Sequence, residues 1–184
     1  MKTLLLILAI AISLPSHAQA QSLLTKSEFE KRVTAEAVRN RKLRTAGGDY
    51  DDKRDVISFK LKFTKSDLKA GFQGMTCEFY IFGQHIVDSK VFKLLGAEKL
   101  PLSIPKLGTT ELETKEVVSQ WDNTGVRFGA KYDSWVLVVR DATETIVMKK
   151  SSSPNWLPVA DKMNTLKPGA MYDRQLKVTG AGLR

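Results

Sequence analysis

The sequence predicts an all-β protein, an antiparallel β-sandwich. Three observations carry that prediction: period-2 alternation in two segments, a run that is apolar on both faces, and turn residues spaced between them. In "VISFKLKF" (56–63), Ile57, Phe59, Leu61 and Phe63 share one face, while Ser58, Lys60 and Lys62 take the other. That is the pattern of a strand with one wet face. "MTCEFYIF" (75–82) sets Met75, Cys77, Phe79 and Ile81 together and carries Tyr80 and Phe82 on its second face. "WVLVV" (135–139) is apolar throughout, as a central strand is.

"TIVMKK" (145–150) follows "RDATE" (140–144), a short polar connection suited to a hairpin. "VFKLL" (91–95) and "ELETKEVV" (111–118) are weaker strand candidates. Turn signals fall at "AGG" (46–48), "KAGFQG" (69–74), "FGQ" (82–84), "DNTG" (122–125) and "KPGA" (167–170). Gly permits positive φ in such places, and Asn or Asp supports local side-chain turns. Short strands at this spacing give a sandwich. A closed barrel is the alternative.

Residues 25–44 read two ways. "SEFE" (27–30) has capping-box form, and Phe29, Val33 and Ala37 recur at helical spacing. A sandwich with an N-terminal helix at 27–43 is therefore the second alternative. A first strand here, paired with 56–63 in a long hairpin, would protect an otherwise open edge, and strand is the preferred reading. From Ser151 onward, Pro154, Pro158 and Pro168 mark a loop that leads to a last short strand or to a flexible C-terminal tail.

The first 20 residues have the order of a secretory signal peptide. Lys2 precedes the apolar "LLLILAIAISL" (4–14), then come Pro15 and "SHAQA". The apolar run is much shorter than the roughly 20 residues that span a bilayer. Cleavage near Ala20 would leave residues 21–184 as a single β-sandwich domain, exported and then periplasmic or extracellular. No later stretch is apolar enough for a transmembrane helix. Removal of Lys2 leaves 28 of the 29 basic residues against 20 acidic ones, so the mature chain carries about +8. A chain of this size can bury a core without covalent staples, which agrees with its single cysteine.

Familiar catalytic chemistry has little to draw on. Cys77 and His85 are the only cysteine and, after the leader, the only histidine. Eight residues of strand separate them, about 26 Å, whereas a nucleophile and its base approach within about 3 Å. Cys77 reads as a buried small hydrophobe, and His85, beside a turn, as a solvated residue. A Walker loop and a dinucleotide fingerprint are both missing. Paired carboxylates for glycoside hydrolysis have candidates in Glu78, Glu111, Glu113 and Glu116, each also explained as a charge on a wet sheet face. Asp49, Asp51, Asp52 and Asp55 cluster as calcium ligands do, but the loop lacks a closing Glu, and Lys53 and Arg54 compete for the carboxylates. No catalytic, cofactor or metal site is expected.

Two ligand-binding candidates remain. "RNRKLR" (39–44) supplies Arg39, Arg41, Lys42 and Arg44, which could attract a polysaccharide or other polyanion. Nucleic acid is not expected, because residues 30–49 contain no aromatic to stack a base. Asp49–Asp55 would neutralise the run across a hairpin. Trp121, with Asp122 and Asn123 beside it, and Trp156 in "SSPNWLP" sit in polar, turn-like surroundings. Exposed, they would make a sugar-stacking platform; turned inward, they would plug an end of the sandwich.

The strand texture of "FKLKFTKSDLKAGFQGMTCEFYIFG" and "YDSWVLVVRDATETIV" resembles small exported bacterial β-sandwich proteins of unassigned function. It is similar in style to immunoglobulin-like or fibronectin type III-like modules over about residues 54–151. The Cys…Trp…Cys pattern of true immunoglobulin domains is missing, so the resemblance implies a fold and no functional residues. The leading expectation is a non-enzymatic, extracytoplasmic interaction module for a protein or cell-envelope component. A polysaccharide- or polyanion-binding module comes second, and a glycosidase-like enzyme third.

Overall fold

Alternation in residues 53–65 puts Ile57, Phe59, Leu61 and Phe63 into the interior and leaves Lys60 and Lys62 at the surface. The computed structural model describes residues 25–45, 53–122, 124 and 127–179, and the expected signal peptide lies outside them. Among the described residues are a short helix, α1 (Lys26–Arg32), and nine strands. They are β1 (Val33–Thr45), β2 (Lys53–Lys65), β3 (Phe72–His85), β4 (Phe92–Ile104), β5 (Gly108–Glu113), β6 (Val117–Asp122), β7 (Phe128–Arg140), β8 (Ile146–Ser151) and β9 (Met171–Tyr172). A 3-10 segment, Pro154–Thr165, lies between β8 and β9.

All pairings are antiparallel, and they build two facing sheets. In the first, β2 pairs with β1 on one side and with β5 and β6 end to end on the other. In the second the order is β8, β7, β3, β4, β9. β7 joins them: Phe128 and Gly129 pair with β6, and from Ala130 onward the strand pairs with β3. Gly129 permits this crossing. Its φ is +83°, and a Cβ there would stand 2.1 Å from the Gln120 carbonyl oxygen. The strand path ends at β1 and at β9, so the sheet is not closed into a barrel.

The two faces read from the sequence meet in the middle. Ile57, Phe59, Leu61 and Phe63 of β2 pack on Met75, Cys77, Phe79 and Ile81 of β3 and on Leu137 and Val139 of β7. Phe59 and Phe79 lie 5.0 Å apart, ring to ring. β3 and β7 are apolar on their other face too, because a second core lies there. Tyr80, Phe82, Phe92, Leu94, Val136 and Val138 are covered by Trp156, Ala160 and Met163 of the Pro154–Thr165 segment and by Tyr172. The chain beyond Ser151 is thus a third layer up to Thr179, with residues 180–184 outside the described part.

Residues 25–45 contain both structures that the sequence suggested. A helix runs for seven residues, and a strand of 13 follows it directly. The helix cap is Thr25, not Ser27: its hydroxyl accepts from the Glu28 N–H at 3.2 Å. The proposed helix at 27–43 fails beyond Arg32 because the chain pairs with β2 from Val33 onward. Strand parity then turns Val33 and Ala35 inward.

Candidate functional site

The basic run lies on β1, and its alternation divides it. Arg39 and Arg41 share parity with the inward-facing Val33 and Ala35, whereas Lys42 points outward with Val38 and Asn40. The Arg39 guanidinium stands 4.6 Å from the centre of the Tyr132 ring. Burial pushes the Tyr132 hydroxyl up from its ordinary pKa. Arg41 Nε meets Asp55 Oδ2 at 2.9 Å, and Asp55 is only 3% exposed. The expected neutralisation across the hairpin is therefore present in Asp55, while Asp49, Asp51 and Asp52 lie outside the described residues. Lys42 Nζ is 3.2 Å from Glu116 Oε1 with both side chains exposed, a pair worth at most about 1 kcal/mol. Arg44 continues the strand opposite Arg54.

The outer margin of β1 is the unusual feature. In β2, the Phe59 N–H donates to Thr114 Oγ1 at 2.9 Å, and the Phe59 carbonyl accepts from the Thr114 N–H at 2.9 Å. The odd-numbered residues of β2 thus turn their backbone away from β1, and Ser58, Lys60, Lys62 and Thr64 turn theirs towards it. Register places Asn40, Val38, Glu36 and Thr34 opposite those four. In an antiparallel ladder, alternate residues bond to opposite sides, so Ala35, Ala37, Arg39, Arg41 and Leu43 direct their N–H and C=O outward. One contact agrees independently: Lys150 Nζ of β8 donates to the Ala35 carbonyl at 2.9 Å. Beyond Ala35, no strand among the described residues pairs with this edge. Val38 and Leu43 are exposed beside it.

The tryptophans form no sugar platform. Trp121 is 4% exposed and Trp156 0%. Trp156 stacks on Phe82 with ring centres 4.3 Å apart, meets Phe92 edge-on at 5.1 Å, and donates from Nε1 to Ser134 Oγ at 2.8 Å. Trp121 sits at the β6–β7 corner, opposite Gly129, and is not among the residues of that second core. Asp122 is buried as well; its Oδ1 accepts from the Thr124 N–H at 2.7 Å and from the Thr124 hydroxyl at 2.8 Å. Asn123 lies outside the described residues. The polar contexts suggested turns, but Trp121 lies in β6 and Trp156 in the Pro154–Thr165 segment, and neither context showed which way its ring faces.

Cys77 and His85 stand eight residues apart on β3 and make no dyad. Cys77 is enclosed in the first core. Burial, and secondarily the charge of Glu78, pushes its thiol up to about 12. Thiolate, not thiol, is the reactive form. The folded protein is therefore expected to ignore a disulfide thiol reagent at pH 8 and to react with one equivalent in guanidinium. Reaction of the folded protein at the rate of a free thiol would contradict this burial. His85 is not the solvated residue its turn context predicted. It is buried, and its Nδ1 accepts from the Val87 and Asp88 N–H groups at 3.3 Å each. These bonds close the turn after β3.

The four candidate carboxylates are not assembled. Glu78 is fully buried on the second-core side of β3, with Lys99 Nζ at 3.0 Å, Arg140 Nε at 3.3 Å and the Tyr80 hydroxyl donating at 3.1 Å. Burial, with the neighbouring Glu78 charge, raises the Tyr80 pKa. Glu111, Glu113 and Glu116 are exposed, the first pairing with Lys60 at 3.1 Å and the last with Lys42. Strand β5 belongs to the first sheet and Glu78 to the second, with the main core between them. The Glu78 cluster has one signal in the sequence: it is the only charge in an eight-residue run that is apolar on both faces.

No family model matches the chain, and no curated protein matches it. Among solved structures, a crystal structure from Akkermansia muciniphila aligns over 74% of this chain and 75% of its own, at 19% identity and a TM-score of 0.39. A likeness that slight carries no argument.

Proposed function

We propose that this protein is a non-enzymatic interaction module, exported to the periplasm or beyond, that binds a protein partner by taking an extended segment onto the edge of β1. The outward backbone row at Ala37, Arg39, Arg41 and Leu43 carries this reading. Unpaired N–H and C=O groups along an edge are a template for a further strand, and main-chain bonds then supply affinity. The scattered placement of Cys77, His85 and the four glutamates supports the non-enzymatic part. The buried tryptophans take the aromatic platform from the polysaccharide reading, which keeps only the basic residues.

Photocrosslinkers placed singly at Ala37 and at Lys93, a position on β4 in the other sheet, test the reading in the producing cell. A protein adduct mapped to an extended segment is expected from position 37 and none from position 93. Turnover of a peptide or envelope polysaccharide by the purified protein, abolished by one carboxylate-to-amide substitution, would overturn it.

A further inference from the structure

The partner segment has a sign. Resting on the edge reading above, we infer that the strand taken up by β1 is acidic, with carboxylates on alternate residues facing Arg39 and Arg41. In an added antiparallel strand, residues directly opposite have Cβ atoms about 4.5–5.5 Å apart, so each side chain meets its counterpart on the same face. On the sandwich-facing side that counterpart set begins with Arg39 and Arg41; on the outward side it includes Val38, Asn40 and Lys42. The Arg39 guanidinium sits over the Tyr132 ring, and Arg41 uses Nε for Asp55. Both are held in place and still accessible: Arg39 is an exposed residue, and the Arg41 side chain is 44% exposed. Held guanidiniums lose less freedom when they bind a carboxylate.

The same charges argue against a second copy as occupant. An antiparallel β1–β1 pair centred on Arg39 sets Arg39 opposite Arg39, with Lys42 opposite Glu36, whereas one centred on Arg41 sets Arg41 opposite Arg41 and gathers the basic residues of both copies with no carboxylate opposite them. Like charges directly opposite destabilise a sheet, and charge on an edge is a common guard against self-pairing. A guard of one sign admits a strand of the other. Tyr132 behind Arg39, with the apolar Val38 and Leu43 along the edge, adds surface for apolar residues between the acidic ones.

The test uses the 15N-labelled mature protein and three synthetic ten-residue peptides in which Val alternates with Glu, Gln or Lys. Amide exchange at Ala37, Arg39, Arg41 and Leu43 is followed at low salt. The Glu peptide is expected to slow exchange at these four amides and the Lys peptide to leave them unchanged. Arg39→Glu, which spares the Arg41–Asp55 pair, is expected to weaken the Glu peptide about tenfold, and a thermal melt checks its fold. Equal protection by all three peptides would overturn the acidic preference and leave strand addition standing. Equal binding of a Glu peptide N-methylated on its ladder-facing nitrogens would overturn strand addition itself. Shifts with heparin but with no peptide would assign the run to polyanions and overturn both, as would silence throughout.

Discussion

Replacing Lys65 by methionine is expected to lower the unfolding free energy by about 3–5 kcal/mol, the usual cost of removing one member of a buried charged set. The Lys65 side chain is 0% exposed. Its ammonium lies 2.6 Å from the Asp67 carboxylate and 2.7, 2.7 and 2.6 Å from the carbonyls of Asp67, Lys69 and Lys106, so its three N–H groups are shared among four oxygens. These oxygens come from the β2–β3 connection and, 41 residues away, from the β4–β5 connection. Arg32 at the end of α1 closes the same knot, with Nε 2.8 Å from Asp67 Oδ2 and Nη2 donating to the Ala70 carbonyl at 2.7 Å. Methionine fills the lysine stem's space but leaves three carbonyls without this donor. It therefore lacks the advantage that an all-apolar replacement of a buried pair can have. Urea unfolding measures the loss, with Lys62→Met, exposed on the same strand, as the control expected within about 0.5 kcal/mol. A Lys65→Met loss no larger than the control's would mean that the oxygens find other donors.

The knot also sets an acid response. The Arg32 hydrogen bond, and after it that of Lys65, holds the Asp67 carboxyl well below the usual carboxylate range. A folded-state pKa below the unfolded one contributes stability above the unfolded value, about 4, and loses it as pH falls towards the folded value. Stability curves of the native protein and Asp67→Asn are therefore expected to be separated at pH 6 and to converge below pH 4. Curves that stay parallel on acidification would remove Asp67 from the account.

The central strands were legible because burial on one face leaves a period of two in the sequence, as Ile57, Phe59, Leu61 and Phe63 show. The fully apolar run Trp135–Val139 announced cover on both faces, yet nothing local named the cover. That layer comes from Pro154–Thr165, whose buried residues are only Trp156, Ala160 and Met163, in a segment interrupted by Pro158 and without strand alternation. The doubt over residues 25–44 had a physical source. Phe29, Val33 and Ala37 satisfy helical spacing, and Val33, Ala35 and Ala37 satisfy strand alternation, so one stretch served both until pairing with β2 decided. The Lys65 knot was illegible, since "TKSDLK" looks like any polar turn. Its chemistry depends on a carbonyl supplied by a distant connection. The β1 edge was half legible: the charges are in the sequence, but the direction of each N–H follows only from the register.

Trp156→Ala is expected to cost about 3–5 kcal/mol, as large aromatic truncations in cores do. Against a typical total of about 5–15 kcal/mol, that loss is large. The indole anchors the third layer through four contacts: the Phe82 stack, the Phe92 edge, the Ser134 hydrogen bond and the Arg174 guanidinium 5.4 Å above its ring. Alanine removes all four and opens a cavity against β3. Phenylalanine keeps much of the ring packing and loses the N–H donor. Ser134 Oγ still donates to Asp133 Oδ2 at 2.6 Å, so the cost to phenylalanine is expected to be the smaller of the two. Urea midpoints of both variants, read by far-UV circular dichroism, decide the order. An unchanged Trp156→Ala midpoint would make Pro154–Thr165 a dispensable cover over a two-layer sandwich. The second core lies on the far side of the β3 sheet from β1, with the main core between. In buffer mild enough to keep both variants folded, exchange at Ala37, Arg39, Arg41 and Leu43 is therefore expected to match the native protein. That separates loss of the third layer from loss of the edge.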